Sequence, residues 1–281
     1  MTTRAARLLF VCLVPVLPAC GGASDDPAET GFEATDAGEA SGGSPDAPVG
    51  GSTGTDTEGL TGTWAQRQVT VSNVDVPIVG TTRTPTVSLL LVEATPGAAD
   101  GAFDLHQTVC GIEMGAEADP ARTVVPDAFV DSLPSVVRQA TLAPDGAYTV
   151  EWLTQVHGAH LDDLETEALP TTPDDPRVFD QDEDGRPGLT VQVTGLVDGE
   201  VYVVQRGRDR MVGHRTDDGV DGLVEWTNEQ AVLDAEVDLL RMPVASRPEP
   251  DPAAHVFSMR RLPAGSDCAA VLERAPSLFA P

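Results

Sequence analysis

Lysine is absent from this sequence, and all 17 of its basic residues are arginine. They stand against 45 acidic residues, so the formal net charge is −28. A surface this acidic repels nucleic acid and anionic lipid, and it favours cations or basic partners. The composition therefore argues against a nucleic-acid-binding protein.

The signatures of several large enzyme classes are missing as well. The chain has no Gly-x-Ser-x-Gly elbow, no His-Glu-x-x-His pair, no phosphate-binding glycine loop and no dinucleotide fingerprint. Aromatic residues make up only 4% of the chain, without the surplus typical of sugar-binding faces. We therefore expect a protein that is not an enzyme. Because carboxylates are plentiful, an extracellular hydrolase that uses two of them is the alternative.

Only the N-terminus carries a sustained apolar run. Arg4 and Arg7 precede an apolar segment from Leu8 to Leu17 that is too short to span a bilayer. The sequence Leu17-Pro18-Ala19-Cys20 that follows resembles the bacterial lipobox, although Pro18 replaces the small residue more usual there. The alternative is an ordinary signal peptide that ends near a chance cysteine. We expect residues 1–19 to be a signal peptide.

The lipobox resemblance implies that Cys20 is acylated and anchors the protein to a membrane. Gly21 follows it in place of the aspartate that retains some lipoproteins at the inner membrane. This predicts a place in the cell envelope, at the outer membrane or the cell surface. Residues 20–58 are rich in Gly, Ser, Thr, Pro and carboxylates. They cannot bury enough apolar surface to fold, and we expect a disordered acidic tether.

Two of the four cysteines are expected in the folded domain, since Cys12 would be removed with the signal peptide and Cys20 is the predicted acylation site. Cys110 and Cys268 form an isolated pair in an oxidising compartment, where a disulfide is the default. A thiol nucleophile or a metal site is the remote alternative.

Residues 59–281 form one predicted β domain, because short alternating segments are separated by turns such as Pro144-Asp145-Gly146 and Asp217-Asp218-Gly219. About ten strands predict an all-β fold, an antiparallel barrel or a sandwich. The predicted strands are 62–76, 84–94, 102–114, 136–142, 147–153, 189–196, 200–212, 222–226, 231–240 and 255–262. Short helices are predicted at 128–133 and, near the C-terminus, at Asp267–Arg274.

The opening Gly59-Leu60-Thr61-Gly62-Thr63-Trp64 resembles the Gly-x-Trp start of lipocalin-like barrels. In that family the tryptophan closes one end of an up-and-down barrel against an arginine from a late strand. The resemblance implies that Arg241 or Arg260 takes this part.

A long acidic loop, from Asp162 to Pro187, interrupts the strand pattern. It carries ten carboxylates and several prolines, with Arg177 and Arg186 as its basic residues. Loops this long inside a compact domain are functional or disordered. Crowding so many like charges is costly unless a cation neutralises them.

The stretch Asp180-Gln181-Asp182-Glu183-Asp184-Gly185 supplies carboxylates at alternate positions, which Ca²⁺ prefers as hard oxygen ligands. It resembles the calcium loops of FG-GAP propeller repeats and thrombospondin type 3 repeats. The resemblance implies metal ligands at Asp180, Asp182 and Asp184 and at the backbone carbonyl of Arg186. Further candidate ligands are Asp174, Asp175 and Glu183.

The loop departs from related motifs at two positions. Gly188 stands where FG-GAP loops have another aspartate, and Val191 stands where an EF-hand has its bidentate glutamate. A solvated acidic turn without metal is the alternative. A His157–His160 pair is a second, weaker metal candidate, with surface histidines as its alternative.

Arg206, Arg208 and Arg210 lie at alternate positions of one predicted strand. They form either an anion-binding face or, as we expect, salt bridges to the acidic loop.

Together these features predict a lipid-anchored, monomeric binding or surface-interaction module of the cell envelope, with Ca²⁺ as the expected cofactor that stabilises the fold. Its partner is a small ligand or an envelope or extracellular molecule. The alternatives are the hydrolase and a purely structural envelope lipoprotein.

Overall fold

Strands dominate the described part of the chain, because its alternating apolar and polar residues favour extended backbone with one buried face. The structure is a computed structural model that describes residues 59–76, 80–115, 122–194, 197–242 and 245–280. The predicted signal peptide (1–19), the tether (20–58) and the lipidation site Cys20 lie outside the described residues.

One antiparallel sheet contains eleven strands. They are β1 Gly62–Val76, β2 Gly80–Pro96, β3 Ala102–Met114, β4 Arg122–Val124, β5 Val136–Leu142, β6 Ala147–His157, β7 Leu189–Thr194, β8 Gly199–Arg215, β9 Gly219–Ala235, β10 Ser246–Pro248 and β11 Val256–Arg261. The helices are α1 Asp127–Ser132 and α2 Cys268–Leu278, with 3-10 turns at Asp238–Arg241 and Pro252–Ala254. The prediction of an all-β fold of about ten strands with a short C-terminal helix is confirmed. Within the described ranges, no helix has the length and apolar character needed to cross a membrane.

Eight strands close into a ring in the order β1, β2, β3, β5, β6, β8, β9 and β11, with β11 pairing back to β1. Each ring strand is antiparallel to the next one along the chain. This is an up-and-down arrangement of antiparallel neighbours, although the connections from β3 to β5, β6 to β8 and β9 to β11 are long. Outside the ring, β7 pairs with β8, β4 pairs with β7, and β10 pairs with β1.

Strand β9 corrects the sequence prediction, which placed separate strands at 222–226 and 231–240. The structure has one strand, Gly219–Ala235, and the residues after it form a 3-10 turn. The polar stretch 227–230 suggested a break. It continues the strand because β8 offers polar partners, with Arg206 opposite Glu229. Strands β4 and β10 were not predicted, and each has only three residues.

Apolar side chains fill the interior in two clusters. The first cluster includes Trp64, Phe103, Tyr148, Met211, Trp226 and Phe257. The second includes Ile112, Phe129, Leu189, Val191, Val201 and Val203. Val109 packs against both clusters. Aromatic rings and large aliphatic side chains therefore occupy the space that an internal apolar ligand would need.

A layer of polar side chains separates the two clusters. Along β8, the buried residues change from Val203 in the second cluster, through Gln205 and Asp209, to Met211 in the first. Along β3, Gln107 occupies the same intermediate position. The buried members of this polar layer are Gln66, Gln68, Gln107, Arg138, His157, Gln205 and Asp209.

Trp64 lies buried at one end of the ring, where its Nε1 donates to the carbonyl of Leu60 at 2.8 Å. The guanidinium of Arg261 lies 4.3 Å from the centre of the Trp64 ring and donates to the carbonyls of Gly59 and Thr61. The predicted partners Arg241 and Arg260 were therefore wrong. Trp64 and Arg261 stand opposite each other in the β1–β11 pairing, and strand alternation directs the neighbouring Arg260 to the other face.

Helix α2 covers the outer face of the ring, where Val271 and Ala275 pack against Ala65, Leu89 and Leu262. Its N-terminus is capped by Asp267, which accepts from the backbone N–H of Ala270 at 2.9 Å. The Cys110–Cys268 disulfide joins this helix to β3, as predicted.

Candidate functional sites

The acidic loop is ordered by arginines. Arg177 donates to carboxylate oxygens of Glu167 and Asp175, both at 2.7 Å, and to the carbonyl of Ala168. The Arg177 guanidinium beside Asp175 lowers the pKa of that carboxyl to about 2. Asp175 is therefore committed to an ion pair within the loop, which weakens its candidacy as a metal ligand.

Arg206, Arg208 and Arg210 of β8 pair with carboxylates, and the first two also join the acidic loop to the ring. Arg206 pairs with Glu229 and also donates to the carbonyls of Leu164 and Glu167 in the loop. Arg208 lies 3.8 Å from Glu165 of the loop. Arg210 pairs instead with Glu225 of β9. The expected salt bridges are present, but only Arg208 reaches a carboxylate of the loop.

Asp180, Asp182 and Asp184 converge at the end of the loop, where one carboxylate oxygen from each lies within 4.8 Å of the others. Gly185, with φ of 85°, makes the reversal that brings them together. Glu183 has φ of 56°, a conformation that few residues other than glycine adopt. The pattern in the sequence therefore produces the cluster that the calcium-loop resemblance implies.

Backbone N–H groups orient the three carboxylates. Asp180 accepts from Gly185 at 2.8 Å, and Asp184 accepts from Arg186 at 2.8 Å. Asp182 accepts from Thr190 in β7 at 2.9 Å through one oxygen. The loop is thereby fastened to the strand that follows it.

The second carboxylate oxygen of Asp182 is buried and has no hydrogen-bond partner. Burial raises the pKa of Asp182, and the charges of Asp184 and Asp180 raise it further. Burial and neighbouring negative charges both disfavour the ionised form of a carboxyl group. Among the described residues, the cluster of three does not include the candidates Asp174, Asp175 or Glu183. The Arg186 carbonyl ligand stays a prediction.

His157 and His160 do not form a metal pair. His157 is buried at the end of β6, whereas His160 is exposed and stacks on Phe179 with ring centres 4.3 Å apart. Neither histidine belongs to the group of possible metal ligands found among the described residues.

A small cavity opens into the polar layer where β5 and β6 separate. The described pairing between these strands comprises only Ala140↔Val150, Thr141↔Thr149 and Leu142↔Tyr148. Beyond it lies a cavity of ≈ 20 Å³. The residues that line it are Gln68, Leu90, Gln107, Val109, Leu133, Pro134, Val136, Arg138, Leu153, Gln155, His157 and Asp209.

An ion pair forms one wall of this cavity. Arg138 donates to the Asp209 carboxylate at 2.6 Å, and the side chains are only 4% and 2% exposed. Arg138 also donates to the carbonyls of Glu151 and Asp209, which ties β5 to β6 and β8 where the backbone pairing stops. Burial raises the pKa of Asp209, and the charge of Arg138 opposes that rise.

His157 forms another part of the wall, and its Nε2 is buried without a hydrogen-bond partner. Burial lowers the pKa of His157 to about 4, so its imidazole is neutral at pH 7. The sequence interpretation missed this cavity. The sequence contains one sign of the polar layer: Gln66, Gln68 and Thr70 place polar side chains on the same face of β1 as the apolar Trp64 and Val74.

The protein should lose stability as the pH falls from 7 to 5, because of His157. The unfolded imidazole takes up its proton near pH 6.5, while the folded imidazole resists protonation until about pH 4. The contribution of His157 to the free energy of unfolding is therefore complete above pH 6.5. Below that pH it falls by ~1.4 kcal/mol for each pH unit, which amounts to about 2 kcal/mol at pH 5. Urea denaturation at the two pH values measures the loss.

His157→Gln should flatten this pH dependence, whereas His106→Gln, which changes an exposed histidine on β3, should preserve it. Equal slopes in the two variants would show that His157 is not the responsible group.

Comparison of the chain with models of known protein families, with curated proteins and with solved structures found no match.

Proposed function

We propose that this protein is a lipid-anchored binding or surface-interaction module of the cell envelope, monomeric and without catalytic activity. The lipobox resemblance at Cys20 supports the anchor, and the acidic tether supplies reach. A flexible tether of the predicted length, residues 20–58, would span roughly 35 Å on average, enough to hold the domain clear of a lipid surface. Its acidic charge favours cationic partners over nucleic acid.

One observation carries the binding function: the described polar layer contains a cavity with unpaired polar atoms. Arg138 Nε and His157 Nε2 are buried without partners, and both residues line the cavity. Leaving a buried donor or acceptor unpaired costs ~1–3 kcal/mol, so such groups are retained where water or a ligand completes them.

The hydrolase alternative has weaker support. It requires two accessible carboxylates on either side of a cleft, one of them with a raised pKa. Asp209 has a raised pKa but is buried against Arg138. Asp182 also has a raised pKa, but it lies in a surface loop and does not line the cavity between β5 and β6.

Membrane anchoring is tested by phase partitioning in a cloud-point detergent. The full chain expressed in a bacterial host should enter the detergent phase, while Cys20→Ser should stay in the aqueous phase. Cys12→Ser, which changes the cysteine inside the predicted signal peptide, is the matched control and should partition like the wild type. Identical partitioning of the wild type and Cys20→Ser would contradict the anchor.

Calcium is proposed as a structural cofactor of the Asp180–Asp184 loop. At a concentration of about 100 times its dissociation constant, a bound ion stabilises the fold by ~2.7 kcal/mol, or roughly 5–10 °C in melting temperature for a domain of this size. Calorimetric titration and thermal melting of the chelator-treated protein measure both effects.

Asp182→Asn should abolish the calcium response, because it removes one charge yet keeps an acceptor for the Thr190 N–H. Asp131→Asn, at an exposed aspartate of α1, should respond like the wild type. Absence of heat and of any rise in melting temperature at millimolar Ca²⁺ would end the proposal.

A further inference from the structure

We propose that the cavity between β5 and β6 binds a small neutral group that both donates and accepts hydrogen bonds, such as a primary carboxamide. The inference deepens the proposed binding function and relies on it only for its biological meaning. Cavity binding is measured on the purified protein, so it can fail while the membrane anchor stands, and the reverse also holds.

The cavity is reached from the protein surface. Pro134, at its rim, is exposed, and Val136 and Gln155 are half-buried, whereas Arg138, His157 and Asp209 are buried. Strand separation provides the opening, because backbone pairing between β5 and β6 ends at Ala140↔Val150. A guest therefore enters past Pro134 and meets the buried polar groups at the inner end.

Charge balance selects a neutral guest. The cavity contains one cation and one anion, Arg138 and Asp209, which compensate each other at 2.6 Å. A charged guest would enter a low-dielectric space in which one member of the pair attracts it and the other repels it. It would lose its hydration without gaining a counterion.

The lining selects a guest with both a donor and an acceptor. Three carboxamides, those of Gln68, Gln107 and Gln155, line the cavity, and each offers both functions. Arg138 Nε adds a donor without a partner, and the neutral imidazole of His157 adds an Nε2 without a partner. A guest with both a donor and an acceptor can satisfy Arg138 Nε, together with His157 Nε2 in either tautomer of the neutral imidazole.

The cavity volume limits the size of the guest. A volume of ≈ 20 Å³ is open to the centre of a water-sized sphere. Since one water needs about 10–15 Å³, the cavity has the space of about one to two waters, so only the polar end of a guest enters it. The ligand is therefore a small molecule, or the end of a larger one whose remainder stays outside Pro134.

Four probes of nearly equal size test the chemistry: acetamide, acetate, acetamidinium and acetone. They are respectively neutral with donor and acceptor, anionic, cationic, and neutral without a donor. The imidazole resonances of His157 in the full chain, assigned with His157→Gln, report occupancy in nitrogen-edited NMR. We expect a saturable acetamide shift with a millimolar dissociation constant and at least tenfold weaker binding of the other three probes.

Two neighbouring variants locate the binding. Val136→Phe places a ring in the cavity and should abolish the acetamide shift. Val137→Phe, on the same strand at a residue that is 53% exposed, should leave it unchanged. Should Val136→Phe fail to fold, Gln155→Leu replaces it, with a loss of at least fivefold in affinity expected.

The proposal is overturned if acetamide causes no saturable shift, or if the charged probes bind as tightly as acetamide. It is also overturned if the cavity variant retains the affinity of Val137→Phe, because binding would then lie elsewhere.

Discussion

Asp209→Ala is expected to lower the free energy of unfolding by about 3–5 kcal/mol, the usual cost of leaving one member of a buried ion pair alone. Asp209 is 1% exposed and receives a 2.6 Å hydrogen bond from Arg138, which is 5% exposed. Once the carboxylate is gone, the guanidinium stays in the polar layer with only backbone carbonyls as acceptors. Equilibrium denaturation in urea measures the loss.

An exposed pair provides the matched control. Arg210 of β8 and Glu225 of β9 form a 2.7 Å salt bridge, with side chains 38% and 43% exposed. Glu225→Ala should cost at most about 1 kcal/mol, since water replaces the lost partner.

The double variant Arg138→Met with Asp209→Leu should recover a large part of the loss, because it removes both buried charges. If Asp209→Ala cost no more than Glu225→Ala, the buried pair would not be what holds β5 to β8.

Removal of the disulfide is the second large effect that we expect. The Cys110–Cys268 bond joins residues 158 positions apart. In the chain-entropy model, a loop of this length contributes up to ~5 kcal/mol, by restricting the unfolded chain. For a domain of this size, the double substitution Cys110→Ala with Cys268→Ala should therefore lower the melting temperature by roughly 10–20 °C.

The loss should be greatest in α2, which packs on the ring through Val271 and Ala275 and is otherwise fastened by Cys268. Amide hydrogen exchange of α2 would then accelerate more than that of β1. A reducing agent should destabilise the wild type to the level of the double variant and leave the double variant unchanged. An unchanged melting temperature in the variant would contradict this account.

The predictions from sequence that succeeded rest on local patterns. Alternation and turn residues placed β1, β3 and β5 at their observed bounds, and Asp267 indicated the start of α2. The Asp180 loop also came from local spacing, because the residues that form the cluster lie within five positions of one another. Such features depend on backbone geometry over a few residues, which a sequence states directly.

The predictions that failed concerned features that depend on which strands pair and in which register. Arg261, and not Arg241 or Arg260, meets Trp64 because the β1–β11 register sets them opposite each other. Similarly, 227–230 continue β9 because Arg206 and Gln205 of β8 stand across from them. A register between strands far apart in the chain is not written in either strand alone.

The sequence by itself determined an acidic, lysine-free chain with an all-β domain, a cysteine pair and an aspartate loop. Only the tertiary structure revealed the cavity, because Gln68, Arg138, His157 and Asp209 come from four different strands. In the sequence, each of these four residues looks like an ordinary polar residue of a strand. Closure of the ring brings these side chains together. Because they are buried away from water, their charges and hydrogen bonds interact more strongly than they would at the surface.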